Sequence, residues 1–359
     1  MKPASQRLLY LDWVRGFAAL VMLQGHVFHS FLRDDLRGGG PYMTSQFLGG
    51  MPPAIFLFLL GVTFAFLMDS QEKKGAPALK RWFAAIKRSG YLFAAAFAFR
   101  IQLWLFSFSL NSWTDILRVD ILNCMGLALL VFSGMAVFRT QERIRLCAIL
   151  GIAVAAASPI VSGLDWSGTP ALVRNYIIPD HNFFGFFPWA AFVAFGMSAG
   201  SVLRLLKPDE APAAMQWLGW GGVTTAFVAW TMSNTSLSIY SNSDFWLNGP
   251  SLIFIKLGTI MIMIAFAWLW NLRTTAQDWS WVRQFGLTSL LIYWVHVELV
   301  YGRWFGMLKN QLTVGQTVFV VAVTIALMLT LSLLRTNWPQ VKGWWAPSAS
   351  TLARRFSGD

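Results

Sequence analysis

Asp12, Arg15, His26 and His29 all fall within one apolar stretch, Leu11 to Phe31. At about 100° per residue, Asp12 and Arg15 lie on one helix face, and the eleven steps from Arg15 to His26 return almost to the same angle. A rise of about 1.5 Å per residue puts roughly 16 Å between Arg15 and His26. A guanidinium at one end of such a stripe can hold an anion. An imidazole at the other end can move a proton or carry a group, because its pKa lies near the working pH. Each ionisable group costs about 2.5 to 3.5 kcal/mol at a bilayer centre, so such residues face inward and mark a pathway or a site.

The element that positions them reads as a membrane helix. The chain is 56% hydrophobic and 12% charged, with 19 Trp and 30 Phe, against about 25% charged residues in a soluble protein. Windows of apolar residues near 11–32, 50–68, 88–108, 120–138, 144–163, 186–206, 216–235, 250–271, 284–304 and 313–334 are each long enough to cross a core about 30 Å thick. The expected fold is an all-α integral membrane protein, a single bundle of about ten transmembrane helices. One transmembrane domain over 1–345 and a short cytoplasmic tail over 346–359 are expected, with no repeat and no soluble domain.

Of the 28 Lys and Arg, 19 fall in one set of connections, among them Lys2, Arg7, Lys73, Arg143, Arg204, Arg283 and Lys342. By the positive-inside rule both termini are cytoplasmic. The net charge of +12 then reflects topology and attraction to anionic lipid, not a nucleic-acid partner. Asp12 and Arg15 interrupt any would-be signal sequence, so the first helix is expected to stay uncleaved. Cys124 and Cys147 suggest neither a disulfide framework nor a thiolate site, and the four histidines lack a chelating pattern, so no metal is expected.

Other candidates flank these spans. The connection 69–87 brings Lys73, Lys74, Lys80 and Arg81, with Lys87 and Arg88 at the mouth of the third span. A basic mouth suits a phosphate-bearing cofactor, although a topology signal has the same composition. Arg100, midway through the third span, fits a pathway or a buried ion pair. His296 and Glu298 sit two apart in the ninth span, so they point to different sides of a helix. Asp180, His181 and Asn182 precede the aromatic run Phe183 to Trp189 in an outer loop. Trp166, Tyr176 and Trp246 add aromatic faces suited to stacking against a sugar.

Leu11-Asp12-Trp13-Val14-Arg15-Gly16, with His26 after ten intervening residues, resembles the opening of the multi-span membrane acyltransferases. These include the bacterial type-three glycan acyltransferases and the catalytic domain of heparan-alpha-glucosaminide N-acetyltransferase. The stretches around Ile55 to Thr63, Asp115 to Asp120, Phe187-Pro188-Trp189 and Thr288 to His296 are similar to that superfamily in the same order, so the resemblance covers nearly the whole chain.

The resemblance implies transfer of an acyl group, most simply acetyl, from cytoplasmic acyl-CoA to an extracytoplasmic saccharide hydroxyl or amine in the cell membrane. His26 would be general base or transient acyl carrier, with His296 as second catalytic candidate and Asp12 orienting Arg15 or balancing its charge. Arg15, Lys87, Arg88 and Arg100 would hold the CoA, and His29, Asp180, His181 and Trp189 the acceptor. The glycan acyltransferases often carry Arg-x-x-Arg at the third-span mouth, where this chain has Lys87-Arg88. A homodimer or a separate soluble partner is left open. The rival reading is a proton-coupled transporter or flippase using Asp12, Arg15, Arg100 and His296, although the two-half symmetry common in such proteins is not seen.

Overall fold

The computed structural model describes residues 8–107, 112–181, 183–235, 240, 243–275 and 278–338. The expected tail over 346–359, together with Lys2, Arg7, Asn182 and Lys342, lies outside the described residues. The described residues form α1 (Leu9–Phe31), α2 (Gly40–Gly49), α3 (Pro52–Lys73), α4 (Ala78–Phe106), α5 (Ile121–Phe132), α6 (Thr140–Ser162), α7 (Ala171–Ile177), α8 (Phe186–Leu205), α9 (Ala211–Ser233), α10 (Pro250–Trp270), α11 (Trp281–Leu287), α12 (Ser289–Tyr301) and α13 (Val314–Thr336). No β-strand occurs among them. Seven segments are long and apolar enough to cross a membrane: Gly40–Lys73, Ala78–Phe106, Trp113–Val137, Thr140–Ser162, Phe186–Leu205, Pro250–Trp270 and Val314–Thr336. Seven of the ten expected windows fall in these segments; those near 11–32, 216–235 and 284–304 are largely helical but are not among the seven.

Two boundaries differ from the sequence expectation. The connection expected over 69–87 is a turn of only four residues, 74–77. Gly75 adopts φ +70°, its N–H donates to Glu72 O, and Ala76 N–H donates to Gln71 O. This is a Schellman ending, which needs a residue tolerant of the left-handed region. Beyond Pro77 the run Ala78 to Arg88 is rich in strong helix formers, so Lys80, Arg81, Lys87 and Arg88 stand on α4 and not in a loop. The ninth window is likewise two helices, α11 and α12, broken at Thr288. There the Thr288 hydroxyl turns to Ser332 Oγ at 2.6 Å. Hydroxyl-bearing residues offer such alternatives to helix continuation, and hydropathy does not register them.

The helices gather into two compact units, residues 1–49 with 275–359, and residues 50–274. In the first, α1 packs on α11 with almost no space between backbones. A Cβ on Gly16 would fall on the Val282 carbonyl, and one on Gly286 on the Asp12 carbonyl. Between apolar helices such small residues allow the dispersion contacts that hold a membrane bundle together. At its other end, α1 is tied down by Ser30 Oγ donating to Val300 O at 2.7 Å and by Leu312 N–H donating to Phe31 O at 2.9 Å. Along its flank, Gln24 donates to Ser45 O and Gln46 to Gly25 O. Gln284 Nε2 reaches Ser332 Oγ and Thr336 Oγ1 on α13.

In the second unit, α3 and α8 repeat the glycine device. Cβ atoms on Gly61 and Gly196 would strike the Val193 and Phe58 carbonyls. Several cations that read as topology signals are tied to carboxylates here. Arg143 is fully buried and meets Glu72 Oε2 at 3.2 Å and Thr140 Oγ1 at 2.6 Å. Arg204 and Lys73 share Asp69 Oδ2 at 2.7 and 3.2 Å. A buried charge has to be paired or solvated, and these pairs bring α3, α6 and α8 together.

Candidate active site

The polar stripe on α1 exists as a continuous helical face. Asp12 is buried and Arg15 half-buried one turn on, with Arg15 Nη1 donating to Asp12 Oδ1 at 3.1 Å. The carboxylate therefore sets the direction of the guanidinium and offsets its charge. Since α1 is unbroken from Leu9 to Phe31, the rise of roughly 16 Å from Arg15 to His26 holds.

His26 meets His296. Nδ1 of His26 lies 2.9 Å from Nε2 of His296, and the two rings are nearly parallel with centroids 5.1 Å apart. His296 is completely buried, and its Nδ1 lies 2.7 Å from the Ile292 carbonyl one turn back on α12. That carbonyl only accepts, so His296 Nδ1 carries a hydrogen. In the neutral ring Nε2 then presents a lone pair, and the hydrogen between the two rings belongs to His26 Nδ1. His26 Nε2 is left as the basic, nucleophilic nitrogen. The chain Ile292 O, His296, His26 thus fixes a tautomer, which is what a positioned general base requires.

Around the pair, the Tyr301 ring meets His26 edge-on at 5.2 Å, and its hydroxyl lies 3.2 Å from His29 Nδ1. Tyr293 packs against His296 with centroids 6.0 Å apart. Glu298 points elsewhere, accepting from Trp304 Nε1 at 2.8 Å, as its two-residue offset from His296 requires. The two anchors of α1, Gly16 on α11 and Ser30 on Val300, bracket His26 and hold its register against α12. Tyr301 was absent from the sequence candidates. Its one-dimensional signal is weak, a tyrosine at the end of an apolar helix, which interfaces favour anyway.

The remaining candidates lie in the second unit. Arg100 pairs with Asp120, Nε to Oδ2 at 3.2 Å. Asp120 Oδ1 also caps α5 through Asn123 N–H at 3.1 Å, and Asn123 accepts from the Tyr176 hydroxyl at 2.9 Å. Lys87 and Arg88 are exposed, with Arg88 over the Tyr91 ring. Asp180 and His181 are exposed, and Trp189 is half-buried beneath the Lys256 ammonium.

Residues 7–244, well over half of the 359-residue chain, match the family model described as heparan-alpha-glucosaminide N-acetyltransferase, catalytic. Asp12, Arg15, His26 and the second-unit candidates from Lys87 to Trp189 fall within the match, while Trp246 and His296 fall beyond it. No curated protein matches the chain. On the extent of that match, and with seven helical segments among the described residues apolar enough to span a bilayer, the chain belongs to the heparan-alpha-glucosaminide N-acetyltransferase catalytic family, a family of acetyltransferases.

Proposed function

We propose that this protein transfers an acetyl group from cytoplasmic acetyl-CoA to a hydroxyl or amine of an extracytoplasmic saccharide. The observation that carries the proposal is the contact of His26 Nδ1 with His296 Nε2 at 2.9 Å, with His296 held in turn by Ile292 O. In the reaction, His26 Nε2 takes the proton of the acceptor as its oxygen or nitrogen attacks the thioester carbonyl. The new C–O or C–N bond forms, the C–S bond breaks, and the proton passes to the leaving thiolate. His296 spreads the charge that His26 gains, in the way an orienting partner supports a catalytic imidazole. The same lone pair can instead take the acetyl group, which makes His26 a transient carrier.

Arg15, directed by Asp12, is assigned to the donor's phosphates, with Lys87 and Arg88 as further cations; a pantetheine arm is long enough to cover the rise of roughly 16 Å between Arg15 and His26. His29, Asp180, His181 and Trp189 are assigned to the acceptor. The proposal includes ten spans with both termini cytoplasmic, a reading supported by the ten apolar windows and the Lys/Arg distribution, with the catalytic domain over 1–345 and a cytoplasmic tail over 346–359. Protein reconstituted into vesicles, with radiolabelled acetyl-CoA on one face and a saccharide mixture on the other, tests the reading. Thioester loss with label on saccharide is the expected result, and saccharide or proton movement without thioester loss contradicts it.

A further inference from the structure

Lys256 is the only charged residue of α10, and neither the donor site nor the histidine pair uses it. It stands six residues after Pro250, roughly 9 Å along the helix axis. A lysine placed there in an otherwise apolar span is costly and rarely without a role. Its side chain is half-buried, and its ammonium sits 5.0 Å from the centre of the Trp189 ring, within the range of a cation–π contact. Trp189 is itself wedged between Phe184 and Phe192, with centroids 5.2 and 6.2 Å away. Among the described residues no carboxylate lies within ion-pair distance of Lys256. The other deeply placed cations of this unit contrast with it, since Arg100, Arg143 and Arg204 each have a carboxylate partner.

An aromatic face orients the ammonium without neutralising it. The ammonium is therefore left without a counter-charge and is able to take an anion, and the neighbouring rings supply apolar surface for a sugar ring. The ends of α8 and α10 that carry Trp189 and Lys256 adjoin the connections 164–185 and 236–249, which the Lys/Arg distribution places outside. We propose that Lys256 and Trp189 form a subsite for the anionic group, carboxylate or phosphate, of an acidic saccharide acceptor. The proposal rests on the saccharide reading above and adds the acceptor's charge.

Equilibrium binding of radiolabelled methyl glucuronide and methyl glucoside to the full chain in nanodiscs, without acetyl-CoA, tests it. The proteins compared are wild type, Lys256→Met and Lys256→Arg, in phosphatidylcholine and in phosphatidylglycerol discs. Removal of a charge from an apolar helix should leave folding intact, and unfolding temperature checks this. In phosphatidylcholine, wild type is expected to prefer the glucuronide at least tenfold, on the scale of one charge-assisted contact. The preference should vanish in Lys256→Met and persist in Lys256→Arg. Its weakening in phosphatidylglycerol would identify lipid phosphate as a competitor for the same anion subsite and support the assignment. Equal binding of the two glycosides by wild type, or a preference untouched by Lys256→Met, would overturn it. So would Lys256-dependent retention of phosphatidylglycerol without any preference for the acidic sugar. Binding is read without turnover, so protein that fails to consume acetyl-CoA would sink the acetyltransfer reading and leave this result standing.

Discussion

His26 and His296 are 270 residues apart in sequence and share one hydrogen bond of 2.9 Å. His296 is positioned from behind by Ile292 O, so this bond determines which nitrogen of His26 is basic. His296→Ala removes the acceptor and lets His26 adopt either tautomer. Its kcat is expected to fall about 10²- to 10⁴-fold, the range for general base catalysis, with the KM for acetyl-CoA changed far less. His296→Gln keeps an oxygen that accepts from His26 Nδ1 and should recover part of kcat. Steady-state kinetics on the three proteins checks this, and equal kcat values in all of them would make the pair structural only.

The register of α1 against α11 depends on Gly16 and Gly286, whose missing Cβ atoms leave room for the opposing backbone. Gly16→Val or Gly286→Val forces the helices apart and should cost about 1 to 3 kcal/mol as overpacking. Activity should fall with stability, because Asp12 and Arg15 sit on the displaced segment. Gly38, with nothing within 4 Å of an added Cβ, is the control, and Gly38→Ala should leave the unfolding temperature unchanged. Thermal unfolding in detergent measures both.

Arg100 and Asp120 form a pair set deep in the second unit, at 3.2 Å. Removing one partner strands the other charge, which in buried pairs costs about 3 to 5 kcal/mol. Arg100→Met alone should therefore destabilise more than Arg100→Met with Asp120→Asn. The double variant retains an oxygen able to accept the Asn123 N–H that caps α5. A double-mutant cycle on unfolding free energy gives the coupling, and strictly additive losses would show that the ion pair contributes little.

Much of the site was legible in one dimension because Asp12, Arg15 and His26 share a single helix, whose period alone puts them on one face. The partnership of His26 with His296 was not legible. It depends on how α12 packs on α1, and no local pattern carries a contact across that separation. Tyr301 reaches His26 and His29 only through the same packing. Lys256 leaves a signal, a single cation in an apolar span, but its contact with Trp189 is a matter of packing. The fold shows the same division. Hydropathy located the apolar windows, while the early start of α4 at Ala78 came from helix propensity and Gly75, and the break at Thr288 from a hydroxyl contact with Ser332. Arg143 has the sequence position of one more topology cation, and its burial against Glu72 comes from packing.

In the proposed reaction His26 Nε2 performs the proton or acyl transfer and Arg15 holds the donor. Purified wild type, His26→Ala and Arg15→Ala, each checked for folding, should be given radiolabelled acetyl-CoA with a saccharide mixture, following thioester loss and label on protein and saccharide. Turnover by wild type is expected, with its loss in His26→Ala while acetyl-CoA binding is retained, and with weakened acetyl-CoA binding in Arg15→Ala. A folded His26→Ala that turns over acetyl-CoA at the wild-type rate would contradict it.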